Sequence, residues 1–434
     1  MIERLNNRAY ELILYIVLGM LACLLVFDKM VIFSVVALIA LIVFILADGY
    51  RIPPEDRSIL LKLALGALLI RIAFIIVTQI ADNPFLRADG ITYARIGNEI
   101  AQTWNAGDNY IIEKLNYGYY YFNAFIFYAT GYYPDVVRII NSIIAIGAAL
   151  NLYFISLKLS GNKAAKLTFA LTAFFPSFIV WSALNLKESL CVFLITYIAK
   201  KIIELIENFS FYKLIAIALA LLPLITLRFY VGILVGVVIT VAYIFTAINF
   251  KLNIRIAYTL LILLVMGFAL SQMGYGFLGI DYLMSQNLDT IAEQHNAGAI
   301  GGSAYSQEVD FSSPLKALLY LPLGLFYFIF GPLPWQSIGL LQIISLPEMF
   351  MLYILYLFAV PGIINLWQQR RGECLFLLIL ITSFTLIYAL GGSNMGGIYR
   401  VRFQVLSLLF IFISHGICGY RPQLTHTPVK LGGD

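Results

Sequence analysis

Charged residues and cysteines are both scarce in this sequence of 434 residues. Asp, Glu, Lys and Arg together make up 12% of it, whereas an ordinary globular domain has about 25%. Apolar residues reach 61%, which is more than the core of a soluble protein of this size can bury, so a soluble enzyme is excluded. Four cysteines in such a chain also exclude the framework of a disulfide-rich secreted module.

Nucleic-acid and metal-binding motifs are missing as well. The net charge of +5 comes without basic blocks, so the sequence gives no reason to expect a nucleic-acid partner. It contains no zinc-type Cys/His spacing and no Gly-rich phosphate loop after a strand pattern. The interpretation therefore starts from the hydrophobic runs.

Long uninterrupted apolar runs dominate the sequence. A membrane-spanning helix needs about 20 such residues, whereas a transmembrane barrel would show short alternating segments. We therefore predict an all-α polytopic membrane protein with about 12–14 transmembrane helices. The predicted spans lie near 11–27, 30–47, 59–80, 136–157, 165–184, 188–206, 213–227, 229–248, 256–272, 347–367, 374–391 and 403–419.

The segment 315–346 decides between the lower and the higher number of spans. It is apolar but interrupted by Pro322, Pro332 and Pro334. It is either a hairpin that crosses the membrane twice or an interfacial or re-entrant region that does not cross. The first apolar run is followed at once by a second, so we interpret it as an uncleaved span rather than a signal peptide.

Basic residues cluster in alternate loops, for example at Arg8, Lys158 and Lys251. The positive-inside rule puts these loops and both termini in the cytoplasm. The long loops 81–135 and 273–314 are then external, and long loops of this kind are usually functional. The predicted divisions are an N-terminal two-span hairpin at 1–58, a transmembrane module with the first external loop at 59–272, an external and interfacial or re-entrant region at 273–346, and C-terminal spans with a short cytoplasmic tail at 347–434.

The first external loop contains a candidate catalytic carboxylate. Asp89, Tyr93, Ile96 and Ile100 recur at helical spacing, so we expect an amphipathic helix that begins near Asp89. A carboxylate is favoured at the start of a helix, and periodicity alone leaves open whether Asp89 is a cap or a functional group.

Several cations are predicted at the external ends of spans. Lys187 and Glu188 form a turn between two apolar segments, and Arg228 with Tyr230 interrupts another apolar stretch. Arg400 and Arg402 follow a Gly-rich external turn. External arginines oppose the positive-inside bias, so we expect an anionic partner such as a lipid-linked phosphate or diphosphate.

The order of these features resembles the GT-C superfamily of polytopic glycosyltransferases, and within it the bacterial dolichyl-phosphate-mannose-protein-mannosyltransferase-like (family 39-like) proteins. The family motif D-E-x-x-Y-x-x-x-A corresponds to D-G-I-T-Y-A-R-I-G from Asp89, with Gly90 in place of the second acid. Gly131 with Arg138, Pro176-Ser177 and Lys187-Glu188 follow in the family's order. The resemblance covers residues 70–240.

The resemblance implies a GT-C-like fold and transfer of a sugar from a polyprenyl-phosphate donor to a glycan, lipid or protein acceptor. The transfer would be inverting, at the external face of a bacterial inner membrane. Asp89 would be the general base. The resemblance assigns no metal ligand and leaves a divalent cation, Mg²⁺ or Mn²⁺, open as a cofactor. The expected substrate-binding residues are Tyr93, Lys187, Glu188, Arg228, Tyr230, Arg400 and Arg402.

Two other functions remain open from the sequence. An O-antigen-type polysaccharide polymerase also holds lipid diphosphates with external arginines but makes a growing chain. A transporter or flippase for lipid-linked sugars would be non-enzymatic. Transporters often show internal repeats, and no repeat relates the two halves of this sequence, which disfavours that interpretation.

Overall fold

A computed structural model describes residues 52–80, 88–110, 112, 116–208, 210–246, 288–299, 304–305, 309–336 and 340–419. Within these residues the chain is all-helical, with thirteen α-helices and no sheet. The predicted spans 11–27, 30–47 and 256–272 lie outside the described residues, as does most of the predicted division 1–58.

The described helices follow the predicted apolar runs, and further helices lie within both of the loops that were predicted to be external. In chain order they are α1 Pro54–Ile80, α2 Ala88–Asn105, α3 Gly118–Thr130, α4 Pro134–Phe174, α5 Pro176–Ser182, α6 Glu188–Glu207, α7 Phe211–Leu227, α8 Phe229–Thr246, α9 Leu288–Gly298, α10 Pro314–Phe330, α11 Leu340–Gln369, α12 Arg371–Gly391 and α13 Met395–Cys418.

Five helices in the described part of the chain are long and apolar enough to cross a membrane, namely α1, α4, α11, α12 and α13. Helices α7 and α10 are also apolar but shorter than a membrane span requires, and the same holds for residues 229–240 of α8. A helix of about 20 residues matches the hydrocarbon thickness of a bilayer. The chain is therefore a multi-pass membrane protein by the length and composition of its helices.

Two of the predicted spans are joined in α4, which reverses direction at Gly161. This residue has φ +80° inside the helical run, a conformation that glycine adopts without steric cost. The hydroxyl of Thr168 donates to the hydroxyl of Ser156 across the turn, at 3.0 Å. The two arms therefore pack side by side, as the predicted spans 136–157 and 165–184 require.

The second arm is interrupted before Pro176, and a buried cation fills the break. Phe175 is extended (φ −65°, ψ 125°) between α4 and α5, and proline cannot continue a helical hydrogen-bond ladder. Arg71 of α1 donates to the freed carbonyl of Ala173 at 2.8 Å and to the hydroxyl of Ser182 at 2.8 Å. This intramembrane arginine therefore joins helices and has a structural role.

Helices α2 and α3 lie inside the predicted external loop 81–135 and pack against each other. A side chain at Gly97 of α2 would collide with Asn123 of α3, because an added Cβ would lie 2.6 Å from that residue. Helix α10 packs across the α12–α13 turn. Gly324 faces the carbonyl of Ala389, and Gly331, at the end of α10, faces Met395.

Candidate active site

Four helix ends gather at one end of the bundle and bring charged side chains together. Asp89 is in the first turn of α2, and Glu188 is the first residue of α6. Arg228 caps the end of α7, and Arg400 is in the second turn of α13. A cap or a first turn leaves backbone groups unpaired, so polar side chains are favoured there. Residues from distant parts of the sequence thus form one cluster.

These side chains form a continuous chain of ion pairs. Both terminal nitrogens of Arg400 lie 2.6 Å from Asp89 Oδ2. Arg400 Nε lies 3.8 Å from Glu188 Oε1, and the same oxygen lies 2.6 Å from Arg228 Nη2. Arg228 Nη1 then donates to the Tyr230 hydroxyl at 3.1 Å.

The members of this chain of ion pairs differ in exposure. The Glu188 side chain is 3% exposed and that of Arg228 is 10% exposed. Arg400 is 25% exposed and Asp89 is 54% exposed. A molecule that arrives from solvent therefore meets Asp89 and Arg400 first, whereas Glu188 lies beneath them.

Lys187 adds a third cation to the cluster. Its ammonium donates to the carbonyl of Leu227 at 3.1 Å, so it lies beside the end of α7. Burial, with a further contribution from the charge of Arg228, lowers the pKa of Lys187 to about 8. A lysine with that pKa is mostly charged at neutral pH and loses its charge under mildly alkaline conditions.

Tyr93 lies beside the cluster on the α2 side. Its ring makes an edge contact with Tyr119, with centroids 4.7 Å apart. Burial, and then the negative charge of Glu188, raise the pKa of Tyr93 above its usual value. The phenol therefore stays protonated and is available as a hydrogen-bond donor next to the two carboxylates.

The connection from Ser182 to Lys187 is held by buried amides that the sequence analysis did not single out. Asn185 donates to the carbonyl of Gly90 at 3.3 Å and to Asn123 Oδ1 at 2.7 Å, and it accepts from the Tyr119 hydroxyl at 2.8 Å. Asn141 of α4 donates to the carbonyls of Leu184 and Leu186, each at 3.0 Å. These hydrogen bonds tie the turn to α2, α3 and α4 and so hold Asp89 close to Glu188.

A signal for this network does exist in the sequence. Asn123 and Asn141 interrupt apolar stretches, as does Asn185, and a buried amide needs hydrogen-bond partners. The sequence alone does not say which partners these are, because they come from three separate helices and a turn.

The residues at this site do not fit a divalent cation. No group of three or more His, Cys, Asp or Glu side chains that could hold a metal ion occurs among the residues that the structure describes. Asp89 and Glu188 are each paired with a guanidinium, whose charge would repel a metal ion. Gly90, the residue after Asp89, offers no second carboxylate and packs against Asn185, and an added Cβ would lie 3.2 Å from the Asn185 carbonyl oxygen.

Arg402 has a different set of neighbours from Arg400. It is buried, with Nη1 donating to the Met349 sulfur at 3.3 Å and Nη2 donating to the carbonyl of Tyr327 at 3.2 Å. Two positions apart on a helix, the side chains project about 200° apart. The structure therefore gathers Asp89, Tyr93, Lys187, Glu188, Arg228, Tyr230 and Arg400, and directs Arg402 towards α10 and α11.

Two polar atoms in the cluster lack partners. Among the described residues, neither Glu188 Oε2 nor Arg228 Nε has a hydrogen bond, although both atoms are buried. Unsatisfied polar atoms of this kind are costly and call for an explanation such as a ligand.

In comparison with known proteins, no family model matches the chain and no curated protein matches its sequence.

Proposed function

We propose that this protein is a membrane glycosyltransferase that moves a sugar from a polyprenyl-phosphate donor to an acceptor at the external membrane face, with inversion. The observation that carries the proposal is the contact between a half-exposed carboxylate, Asp89, and a guanidinium, Arg400. A base and an anion-binding group side by side are what such a transfer needs.

The chemistry assigns one role to each kind of group. The acceptor hydroxyl oxygen forms a bond to the anomeric carbon, and its proton passes to the Asp89 carboxylate. The bond from the anomeric carbon to the phosphate oxygen breaks, and its electron pair stays on that oxygen. Arg400 and Arg228 offset the charge of the departing polyprenyl phosphate, and Lys187 adds to the positive field.

Tyr93 and Tyr230 complete the proposed site. Both carry phenol groups beside the charged cluster, and Tyr230 already accepts a hydrogen bond from Arg228. A protonated phenol can donate to a sugar hydroxyl or a phosphate oxygen. Arg402 belongs to the proposed substrate-binding set from the sequence, and its contacts with Tyr327 and Met349 put it on the α10 side of α13.

The proposed architecture is GT-C-like, with about 12–14 spans, two long external loops and both termini in the cytoplasm of a bacterial cell. The gathering of Asp89, Lys187, Arg228 and Arg400 at one end of the bundle supports this orientation. Gly324 of α10 and Gly331, which follows that helix, both lie against the α12–α13 region. In the proposed architecture, residues 315–346 form either a crossing hairpin or an interfacial or re-entrant segment.

The test is sugar transfer by the purified full-length protein in liposomes, with labelled polyprenyl-phosphate sugars as donors and membrane extracts as acceptors. Replacing Asp89 with Asn keeps the shape but removes the base, so transfer should fall by about a hundredfold or more. The matched control is Glu99→Gln on the same helix, because Glu99 is exposed and pairs only locally, with Arg95 at 2.9 Å.

Mass spectrometry of the products separates the proposal from its alternatives. One added sugar per acceptor supports the glycosyltransferase, whereas a ladder of repeat units indicates a polymerase. Movement of labelled donor across the liposome membrane without a new glycosidic bond indicates a transporter. Turnover of Asp89→Asn close to that of the unchanged protein contradicts the role of Asp89.

A further inference from the structure

Glu188 lies in a different environment from Asp89, although both carboxylates face Arg400. The Glu188 side chain is 3% exposed and that of Asp89 is 54% exposed. Glu188 is also the first residue of α6, where the positive end of the helix favours a negative charge. A substrate that entered the site would touch Asp89 and Arg400 before it could reach Glu188.

Two guanidinium groups from different helices converge on one oxygen of this buried carboxylate. Arg228 Nη2 is 2.6 Å from Glu188 Oε1, and Arg400 Nε is 3.8 Å from the same atom. Guanidinium groups this close repel each other in a desolvated place. The single negative charge between them is what allows both to remain there.

The cluster as a whole keeps an excess of positive charge. It has three cations, Lys187, Arg228 and Arg400, against two carboxylates, Asp89 and Glu188. Arg228 Nε is buried without a hydrogen-bond partner among the described residues. The arginines therefore retain both charge and donor capacity for an anion, since a guanidinium has five N–H donors.

We propose that Glu188 is a positioning residue, which holds Arg228 and Arg400 side by side as a paired receptor for the phosphate of a polyprenyl-phosphate ligand and does not itself touch the sugar. The inference rests on the proposed function for the identity of that ligand. It leaves Asp89 as the carboxylate that meets the acceptor.

The first experiment measures binding without catalysis. Polyprenyl monophosphate in detergent micelles is titrated calorimetrically into the purified full-length protein. Glu188→Gln, which keeps the shape and removes the charge, should weaken binding by about tenfold or more. Glu188→Asp, which keeps the charge, should recover part of that loss. Glu204→Gln is the matched control on α6, because Glu204 pairs with Lys201 at 3.3 Å near the other end of the helix.

A double substitution tests whether Glu188 acts through Arg228. If it does, Glu188→Gln combined with Arg228→Gln should lose less affinity for polyprenyl monophosphate than the sum of the two single losses, because part of the coupling is already lost. Fully additive losses would overturn the positioning role. Should Glu188→Gln fail to give a monodisperse protein, Glu188→Asp, whose shorter side chain draws the carboxylate away from Arg228, replaces it in the titration and in the double substitution.

The second experiment separates positioning from acid–base catalysis. For Glu188→Gln we expect a higher donor KM and a smaller loss of kcat than Asp89→Asn causes. A Glu188→Gln variant that binds polyprenyl monophosphate normally but loses kcat as completely as Asp89→Asn would overturn the proposal. If the unchanged protein binds no polyprenyl monophosphate, the proposed function itself fails.

Discussion

The two ends of the helical bundle both contain a buried carboxylate, but the two are satisfied to different extents. At the end away from Asp89, Asp56 is fully buried and accepts from the Tyr153 hydroxyl at 2.7 Å and from Lys166 at 3.1 Å. At the other end, one Glu188 oxygen has two cationic neighbours and the other oxygen has no partner among the described residues.

This difference separates a structural ion pair from a candidate binding site. The Asp56 cluster is balanced and joins α1 to both arms of α4, so it needs nothing from outside. The Glu188 cluster has more cations than carboxylates and leaves buried atoms without hydrogen bonds. Because buried polar atoms without partners are costly, the second arrangement supports the proposal that a ligand completes it.

We expect the largest effect on turnover, from a substitution in the Glu188 cluster. Arg400→Gln removes the charge that contacts Asp89 and faces the solvent, so transfer should fall by about a hundredfold. The measurement is initial rates of sugar transfer in liposomes. Arg370→Gln is the matched control, since Arg370 pairs with Glu207 at 3.5 Å, away from the Glu188 cluster. Equal losses in both variants would remove the functional distinction between the ends.

The opposite pattern is expected for a change in the Asp56 cluster. Asp56→Asn leaves Tyr153 and Lys166 without their charged acceptor, so the free energy of unfolding should fall by about 2–3 kcal/mol. Transfer per folded molecule should stay as it was. Thermal unfolding in detergent measures the first quantity and the liposome assay the second. A stable but inactive Asp56→Asn protein would contradict the structural role.

A smaller effect should follow from placing an acid at Gly90, the position that corresponds to the second acid of the D-E-x-x-Y motif in the family that the sequence resembles. Gly90→Asp adds a Cβ 3.2 Å from the Asn185 carbonyl oxygen, which pushes α2 away from the turn that ends at Lys187. We expect transfer to fall by about tenfold and to show no gain when Mg²⁺ or Mn²⁺ is added. A metal-dependent rise in the activity of this variant would show that the site tolerates a cation, against the geometry described above.

The sequence predicted which helices and charged residues form this site better than it predicted how deeply each side chain is buried. The spacing of Asp89, Tyr93 and Ile100 predicted a helix, and α2 confirms it. The basic loops predicted that Lys187, Arg228 and Arg400 would share one side, and these residues do lie at one end of the bundle. Hydrophobic period and loop charge are local properties, so the sequence reveals them directly.

What the sequence did not reveal depends on packing between distant segments. The sequence placed Glu188 in a turn, among the expected substrate-binding residues, yet it lies beneath the arginines, because the end of α7 and the start of α13 cover it. Arg400 and Arg402 looked equivalent in the sequence, and only the packing of α10 and α11 on α13 separates them. The partners of Asn185 were equally invisible, since they come from residues far apart along the chain.

The smallest expected effect is a pH dependence of anion binding that comes from Lys187. Its pKa is lowered to about 8 because it is buried beside Arg228, so it carries a charge at pH 7 and has lost most of it at pH 9. Polyprenyl monophosphate does not titrate in that window, since its second pKa is about 6. Its affinity should therefore fall by about fivefold as the pH rises from about 7 to 9, and calorimetry with Lys187→Met should show no such fall. The same lowered pKa means that the unfolded chain binds more protons between about pH 8 and 10, so the stability of the unchanged protein should rise with pH there. If Lys187→Met kept the wild-type pH dependence, the titrating cation would have to be another group, and Lys187 would have no part in the receptor for the anion.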